Sequence, residues 1–258
     1  MSNPFPHTLH GSLAGKTAII TGSAMGIGKA IATGYVRAGA RVALFDRADL
    51  EATAAELRAE GGTVFTYTVD LADPHATTQA VNDALAALGG LHTIVSNAGI
   101  LRTKSFEATT LQDWDDHINI NLRPAFVLLK AAYPHFREQG GGVLLITSSA
   151  SGIRGFLNEA AYVPSKHGLE GFMKAMAMEL QPFNIRVNTL TPGHGTHTPL
   201  SEVNYSEEEK QHWIDPLYIA PAYVSLAQTA TTGERLNAWE ISERLRAEAG
   251  EAPRGGGI

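Results

Sequence analysis

Short apolar runs alternate with longer amphipathic stretches along most of the chain. Residues 16–21 (KTAIIT) form a β-branched run, and residues 26–37 follow with apolar side chains at helical spacing through Ile27, Ile31 and Tyr35. Residues 41–46 (RVALFD) repeat the strand pattern. An alanine-rich stretch at 50–60 then repeats the helix, which Gly61 and Gly62 close. Residues 63–69, 92–96, 143–147 and 185–190 read as further buried strands separated by helical stretches. Apolar strands alternating with helices predict an α/β fold with a parallel sheet covered on both faces.

Three regions break this rhythm. Pro124 and Pro134 fall within an otherwise helical stretch at 121–139, so the helix there should be kinked or divided. Residues 191–221 carry four prolines, the acidic run Glu207 to Glu209 and no sustained period, which predicts a lid or binding loop. Its closing part is expected over 195–220, with Tyr205, Trp213 and Tyr218 as aromatic contacts. Residues 1–11 and 251–258 have no apolar period and are expected to be loose ends, leaving a single domain over 12–250.

Composition then narrows the function. With 258 residues, 44% hydrophobic and 18% charged, the chain has the make-up of a globular domain. A formal net charge of -6 offers no basic footprint for nucleic acid. No run approaches the roughly 18 apolar residues of a membrane span, and the first 11 residues lack a signal-peptide pattern, so a cytoplasmic protein is expected. The absence of cysteine excludes disulfides, thiolate catalysis and cysteine-ligated metals.

Two local patterns carry chemistry. Gly22, Gly26 and Gly28, with Met25 and Ile27 between them, form a glycine turn from the first strand into the first helix. Such a turn brings backbone N–H groups to a pyrophosphate. Asp46 ends the second strand 18 residues after Gly28, where a carboxylate can bind both adenosine ribose hydroxyls and repel a 2′-phosphate. The cofactor expected is therefore NAD. Arg47 pulls the other way, because a guanidinium there could pair with that phosphate, but Met25 supplies no second positive charge. In the second pattern, Tyr162 and Lys166 stand four residues apart on one helix face, and Pro164 requires the helix to begin close to Tyr162. An ammonium lowers the pKa of a nearby phenol from its ordinary value near 10 towards a useful base.

These residues, with others in order, resemble the short-chain dehydrogenase/reductase family over nearly the whole chain from Leu13 to about Ile241. The resemblance rests on TGSAMGIG from Thr21, Asp46, Asp70 in VDL, Asn97-Ala98-Gly99, Asn121-Leu122, Ser148-Ser149, YVPSK from Tyr162, and Pro192-Gly193. It implies a doubly wound Rossmann-like sheet of about seven parallel strands and an oxidoreductase that interconverts a secondary alcohol and a ketone. Tyr162 would be the general acid/base, and Lys166 would depress its pKa and hold the nicotinamide ribose. Ser149, 13 residues before Tyr162, would orient the substrate oxygen, with Ser148 structural. Asn121 would hold the kink in its helix and anchor a proton-carrying water. Asp70 and Leu71 would contact adenine, Asn97, Ala98 and Gly99 the middle of the cofactor, and Pro192 and Gly193 the nicotinamide side.

Other features refine the picture. After Gly193 the chain reads HGTHTPL, so Thr196 and Thr198 compete for the nicotinamide carboxamide. Residues 232–241 depart from the family's Asp-Gly-Gly ending and are expected to run into a helix. His194, His197 and Glu202 lack the ligand set of a zinc site, and no metal is expected. Met173, Met176 and Met178 are read as packing residues. Apolar excess around 126–133 and 169–180 predicts a homotetramer or homodimer. The alternatives are an NADP-dependent ketoreductase and a non-catalytic nucleotide-sensing protein; the complete set Asn121, Ser149, Tyr162 and Lys166 argues against the latter. Among sugars, polyols, hydroxy acids and cyclic alcohols the substrate stays open.

Overall fold

A computed structural model of the chain describes residues 5–251; residues 1–4 and 252–258 lie outside the described part. Seven strands form one parallel sheet in the order β3-β2-β1-β4-β5-β6-β7. They are β1 (Thr17–Thr21), β2 (Arg41–Asp46), β3 (Val64–Thr68), β4 (Thr93–Ser96), β5 (Gly142–Thr147), β6 (Ile185–Thr191) and β7 (Arg235–Asn237). Alternate side chains of each strand feed opposite cores. Ala18, Ile20, Val42 and Leu44 pack on α1 (Gly26–Arg37), α2 (Glu51–Ala59), α9 (Ala220–Leu226) and α10 (Ala238–Glu248). Ile19, Ala43 and Phe45 pack on α3 (Pro74–Leu88), α5 (Arg123–Glu138) and α6 (Tyr162–Leu180).

β1 pairs with β2 on one side, Thr17 beside Arg41, and with β4 on the other, Ala18 beside Thr93. The chain winds outward from β1 to β3 and returns across the sheet to β4. The winding therefore reverses between β1 and β4, and a crevice opens beyond their carboxyl ends. Thr21, Asp46, Ser96, Thr147 and Thr191 end their strands around it.

Several expectations are refined by packing. The chain from Phe5 is not a loose arm: Phe5 and Leu9, four residues apart around a single turn, are buried in the α1 side core. Gly11 and Leu13 donate to Arg37 and Ala38 carbonyls, which fixes the segment to the end of α1. The division expected near 121 is a wide turn at Ile118–Leu122, between α4 (Leu111–His117) and α5. Pro124 sits in the first turn of α5, where its missing N–H costs nothing, and α5 continues through Pro134. Residues 235–237 form a short strand on β6 before the expected helix. Asn237 then caps α10, its side-chain oxygen accepting from the N–H groups of Trp239 and Glu240. Met173 is buried, but Met178 is 79% exposed and packs nothing within the chain's core.

The segment after β6 is built rather than irregular. Thr198 and Ser206 cap two one-turn helices, α7 (Pro199–Glu202) and α8 (Glu207–Lys210), each with a reciprocal side-chain and backbone pair. Lys210, nearly buried, joins them through Glu202 and Glu207. The expected lid is also shorter than residues 195–220. Ile214, Tyr218 and Ile219 are buried in the α1 side core, so the part free to cover a ligand ends near Trp213. Among the described residues no helix is long and apolar enough to cross a membrane.

Candidate active site

A cleft of about 870 Å3 follows the sheet's carboxyl edge from Asp46 to Tyr162. Its floor at one end is the glycine turn. A Cβ on Gly28 would lie 2.0 Å from the Gly22 carbonyl oxygen and 2.7 Å from Asn97 Nδ2, so only glycine lets α1 start this close to β1 and β4. The amino end of α1 and its free N–H groups therefore face the cleft, which suits a pyrophosphate. Asp46 is oriented from both sides: Oδ2 accepts from Ala24 N at 3.0 Å and Oδ1 from Ala48 N at 3.0 Å. Arg47 is exposed at the rim with no hydrogen bond or ion pair to any described residue. Met25 and Ile27 also line the cleft, as do Asp70, whose Oδ1 accepts from Ala72 N, and buried Leu71.

Asn97 ties three strands together beneath the centre of the cleft. Its Nδ2 donates to Thr21 O at 3.0 Å, and its Oδ1 accepts from Thr147 Oγ1 at 3.0 Å. Ala98 and Gly99 complete that wall. At the far end Gly193 has φ +80° and passes so close to Asn237 that a Cβ would meet Oδ1 at 1.7 Å. Pro192 O accepts from Trp239 N at 3.1 Å. The cap of α10 thus fixes the Pro192–Gly193 turn, a role for Asn237 that no local sequence pattern announces. Tight turns, free helix N–H groups and an oriented carboxylate together fit a dinucleotide.

Tyr162 opens α6 beside this cleft, and its phenol faces the Ser149 side chain, which also lines the cleft. Ser149 Oγ accepts from Ser151 N at 3.1 Å, and its carbonyl accepts from Arg235. Ser148 instead donates into the protein, to Glu170, which also accepts from Thr189 Oγ1 and faces Arg235. Lys166, 4% exposed, donates to Thr147 O at 3.0 Å, its Nζ 5.5 Å from the Tyr162 ring centroid. Asn121 sits in the wide turn before α5. Its Oδ1 accepts from Ile100 N at 2.7 Å, while Nδ2 donates to Ile100 O and to Ser165 Oγ. Ser165 in turn donates to Tyr162 O, so Asn121 fixes the first turn of α6 against the chain after β4.

Electrostatics differ from the simple sequence picture. Burial pushes the Tyr162 phenol above its ordinary value, the nearby Glu159 and Tyr205 push the same way, and the Ser149 hydroxyl opposes them. Burial also brings Lys166 down to about 8, with Glu170 opposing. In the protein alone, then, desolvation governs the phenol.

The two threonines separate by their partners. Thr198 Oγ1 is engaged with Ser201, and the side chain packs towards Gly26. Thr196 lines the cleft, and its hydroxyl makes no hydrogen bond to a described residue. His197 pairs with Glu202, whereas His194 stacks near Trp239 with its Nδ1 buried and unpartnered. Among the described residues no group of three or more His, Cys, Asp or Glu could hold a metal ion. Sequence reasoning missed Glu159, a buried carboxylic acid in the cleft three residues before Tyr162, because a lone acidic residue in a loop carries no signal.

Comparison with known proteins agrees with this geometry. Residues 16–209 match the family described as short chain dehydrogenase. A D-threitol dehydrogenase from Mycolicibacterium smegmatis is 38% identical over 183 residues, covering 70% of each chain. A peroxisomal hydratase-dehydrogenase-epimerase from Neurospora crassa is 35% identical over 212 residues, and this chain spans 23% of its length. Two solved structures superpose closely. A short chain dehydrogenase from Burkholderia cenocepacia in complex with NADP has a TM-score of 0.81 at 30% identity, over 88% of this chain and 97% of that one. Carveol dehydrogenase from Mycobacterium avium in complex with NAD gives 0.79 at 28% identity, over 88% and 96%. With matching residues that span the glycine turn and the Tyr162–Lys166 pair, on a seven-stranded doubly wound sheet, the chain belongs to the short-chain dehydrogenase/reductase family of oxidoreductases.

Proposed function

We propose that the protein is an NAD-dependent dehydrogenase that interconverts a secondary alcohol and a ketone. The observation that carries this reading is the meeting of Tyr162, Ser149 and Lys166 at one end of a cleft whose other end is a glycine cradle with an oriented Asp46. When bound, the nicotinamide supplies the hydride acceptor or donor. Tyr162 takes the hydroxyl proton in oxidation and returns it in reduction. Ser149 Oγ, already turned to the phenol, holds the substrate oxygen within reach of that proton. Lys166 carries positive charge beneath the pair and binds the nicotinamide ribose. Gly22, Met25, Gly26, Ile27 and Gly28 receive the pyrophosphate, and Asp70 and Leu71 the adenine. Asn97, Ala98 and Gly99 lie under the middle of the cofactor. Pro192 and Gly193 flank the nicotinamide, with the free Thr196 hydroxyl, rather than Thr198, on its carboxamide. The substrate partner is a small molecule; the acidic chain suits neither nucleic acid nor an anionic membrane surface.

The choice of NAD rests on Asp46, which is held between two N–H donors with lone pairs left for ribose hydroxyls. NAD should give a kcat/KM at least about tenfold above NADP, one close charge repulsion being worth roughly 1.4 kcal/mol or more. Asp46→Ser should move the ratio towards NADP, since Arg47 stays at the rim. A wild-type preference for NADP would show that Arg47 governs the site.

The reading includes assembly as a homotetramer, with a homodimer as the smaller alternative. Phe126 on α5 is 53% exposed and stacks edge-on with Phe172 of α6 at 6.4 Å, and Met178 lies exposed on the same helix as Phe172. A second copy would cover this apolar surface. Light scattering at micromolar concentration should give four, or two, times the 27.5 kDa chain mass; a stable monomer would remove the proposal.

A further inference from the structure

We propose that Glu159 sets substrate specificity by binding a second hydroxyl of the substrate, beside the one that reacts, so that the substrate class is a diol or polyol. This rests on the dehydrogenase reading above and narrows it. Glu159 is 5% exposed yet lines the cleft, and its backbone carbonyl accepts from Val163 N in the first turn of α6. One side of the carboxyl is fixed: Oε2 accepts from Ser151 Oγ at 2.8 Å. Ser151 N donates to Ser149 Oγ, so the group that orients the reacting oxygen and the carboxyl are braced by one residue. Oε1 takes no hydrogen bond from any described residue.

The charges around this carboxyl define what it can accept. Three of the cations around the cleft are engaged elsewhere, Lys104 with Asp113, Lys166 with the Thr147 carbonyl, and Arg235 with Glu170 and the Ser149 carbonyl, while Arg154 lines the cleft from its exposed rim. The groups that do feel its charge are two phenols, Tyr162 and Tyr205. Burial without a counter-ion pushes the carboxyl above its ordinary range. A substrate carboxylate placed against Oε1 would add a second negative charge there, which disfavours an acid group at this position. An apolar ring would desolvate Oε1 and leave it unpaired. A hydroxyl suits the site in either protonation state, because it can donate to the carboxylate or accept from the acid. Sites that hydrogen-bond a substrate hydroxyl reject analogues lacking it far more strongly than apolar pockets reject a methylene.

The test compares trans-cyclohexane-1,2-diol with cyclohexanol in the full-length protein with NAD. The wild type should favour the diol by at least about tenfold in kcat/KM, since one lost buried hydrogen bond is worth roughly 1 to 3 kcal/mol. Glu159→Leu should reduce that ratio by tenfold or more, and the isosteric Glu159→Gln should keep most of it. A purely structural Glu159 would lower both rates together and leave the ratio within twofold, which would overturn the proposal. Should the wild type oxidise neither alcohol, the fluorescence of Trp213, which lines the cleft, reads binding directly. Tighter binding of the diol to the NAD-loaded protein, lost in Glu159→Leu, would then uphold the proposal while removing the catalytic reading. Equal binding of the two alcohols, or none, would overturn it.

Discussion

Replacing Tyr162 by Phe is expected to lower kcat for alcohol oxidation by at least about a hundredfold, the lower range for losing a general acid/base. The aromatic ring stays, so its edge contact with His117 at 6.2 Å and its place over Lys166 should persist. NAD affinity should therefore change by only a few-fold, which separates loss of proton transfer from loss of the site. The pH profile gives a second readout. Burial holds the phenol above its ordinary value, so the base form needed for oxidation grows as pH rises, and the acid form needed for reduction is the majority species at neutral pH. Oxidation should accelerate with pH and reduction should not, and the variant should lose this contrast. Near-normal turnover in Tyr162→Phe would assign the proton transfer elsewhere.

The parts of the fold legible in the sequence are those fixed by local chemistry. Strands such as 41–46 show as apolar runs because they are covered on both faces, and the glycine turn shows because no other residue fits between Gly22 O and Asn97. Tyr162 and Lys166 show because one helical turn makes their spacing meaningful. What stayed hidden depends on contacts distant in sequence. Phe5 lies in a polar stretch, and its burial is decided by the space above Gly34 on α1. Tyr218 sits among lid residues, yet its ring packs near Trp239 of α10. Glu159 matters because Ser151 and Ser149 lead from it to the phenol, and no spacing rule encodes that path. The electrostatic balance was hidden for the same reason: the pattern Tyr-x-x-x-Lys states that an ammonium is near, but the depth at which Lys166 is buried under the partly buried Tyr162 belongs to the whole fold.

That depth makes Lys166 the residue at which stability and activity part most sharply. Lys166→Met should lose at least about a hundredfold in rate, since the charge beneath Tyr162 and the cofactor contact proposed above would both disappear, and it should also make the free protein more stable at pH 7. Burial lowers the ammonium's pKa from 10.5 to about 8, so the folded state holds this proton more weakly than the unfolded chain does. The sign follows: below pH 8 both states are charged and the folded one bears the full penalty, which fades as pH rises from 8 to 10.5 because only the unfolded chain then retains the proton. At about 1.4 kcal/mol per tenfold change in proton affinity, the penalty is about 3 kcal/mol. Methionine fills the space of the lysine stem without the charge, but the Thr147 carbonyl loses its 3.0 Å partner, at a cost of about 1 kcal/mol. The net gain of about 2 kcal/mol corresponds to a rise in Tm of about 5 °C for a chain of this size. Thermal unfolding of both proteins from pH 7 to pH 10.5, without cofactor, checks the sign and the window together. The variant's advantage should shrink through that range and reverse near its upper end, where only the lost hydrogen bond remains. A variant less stable than wild type already at pH 7 would mean that the Lys166 charge is well compensated in the free protein, and its weak proton affinity would then have to arise only when NAD is bound.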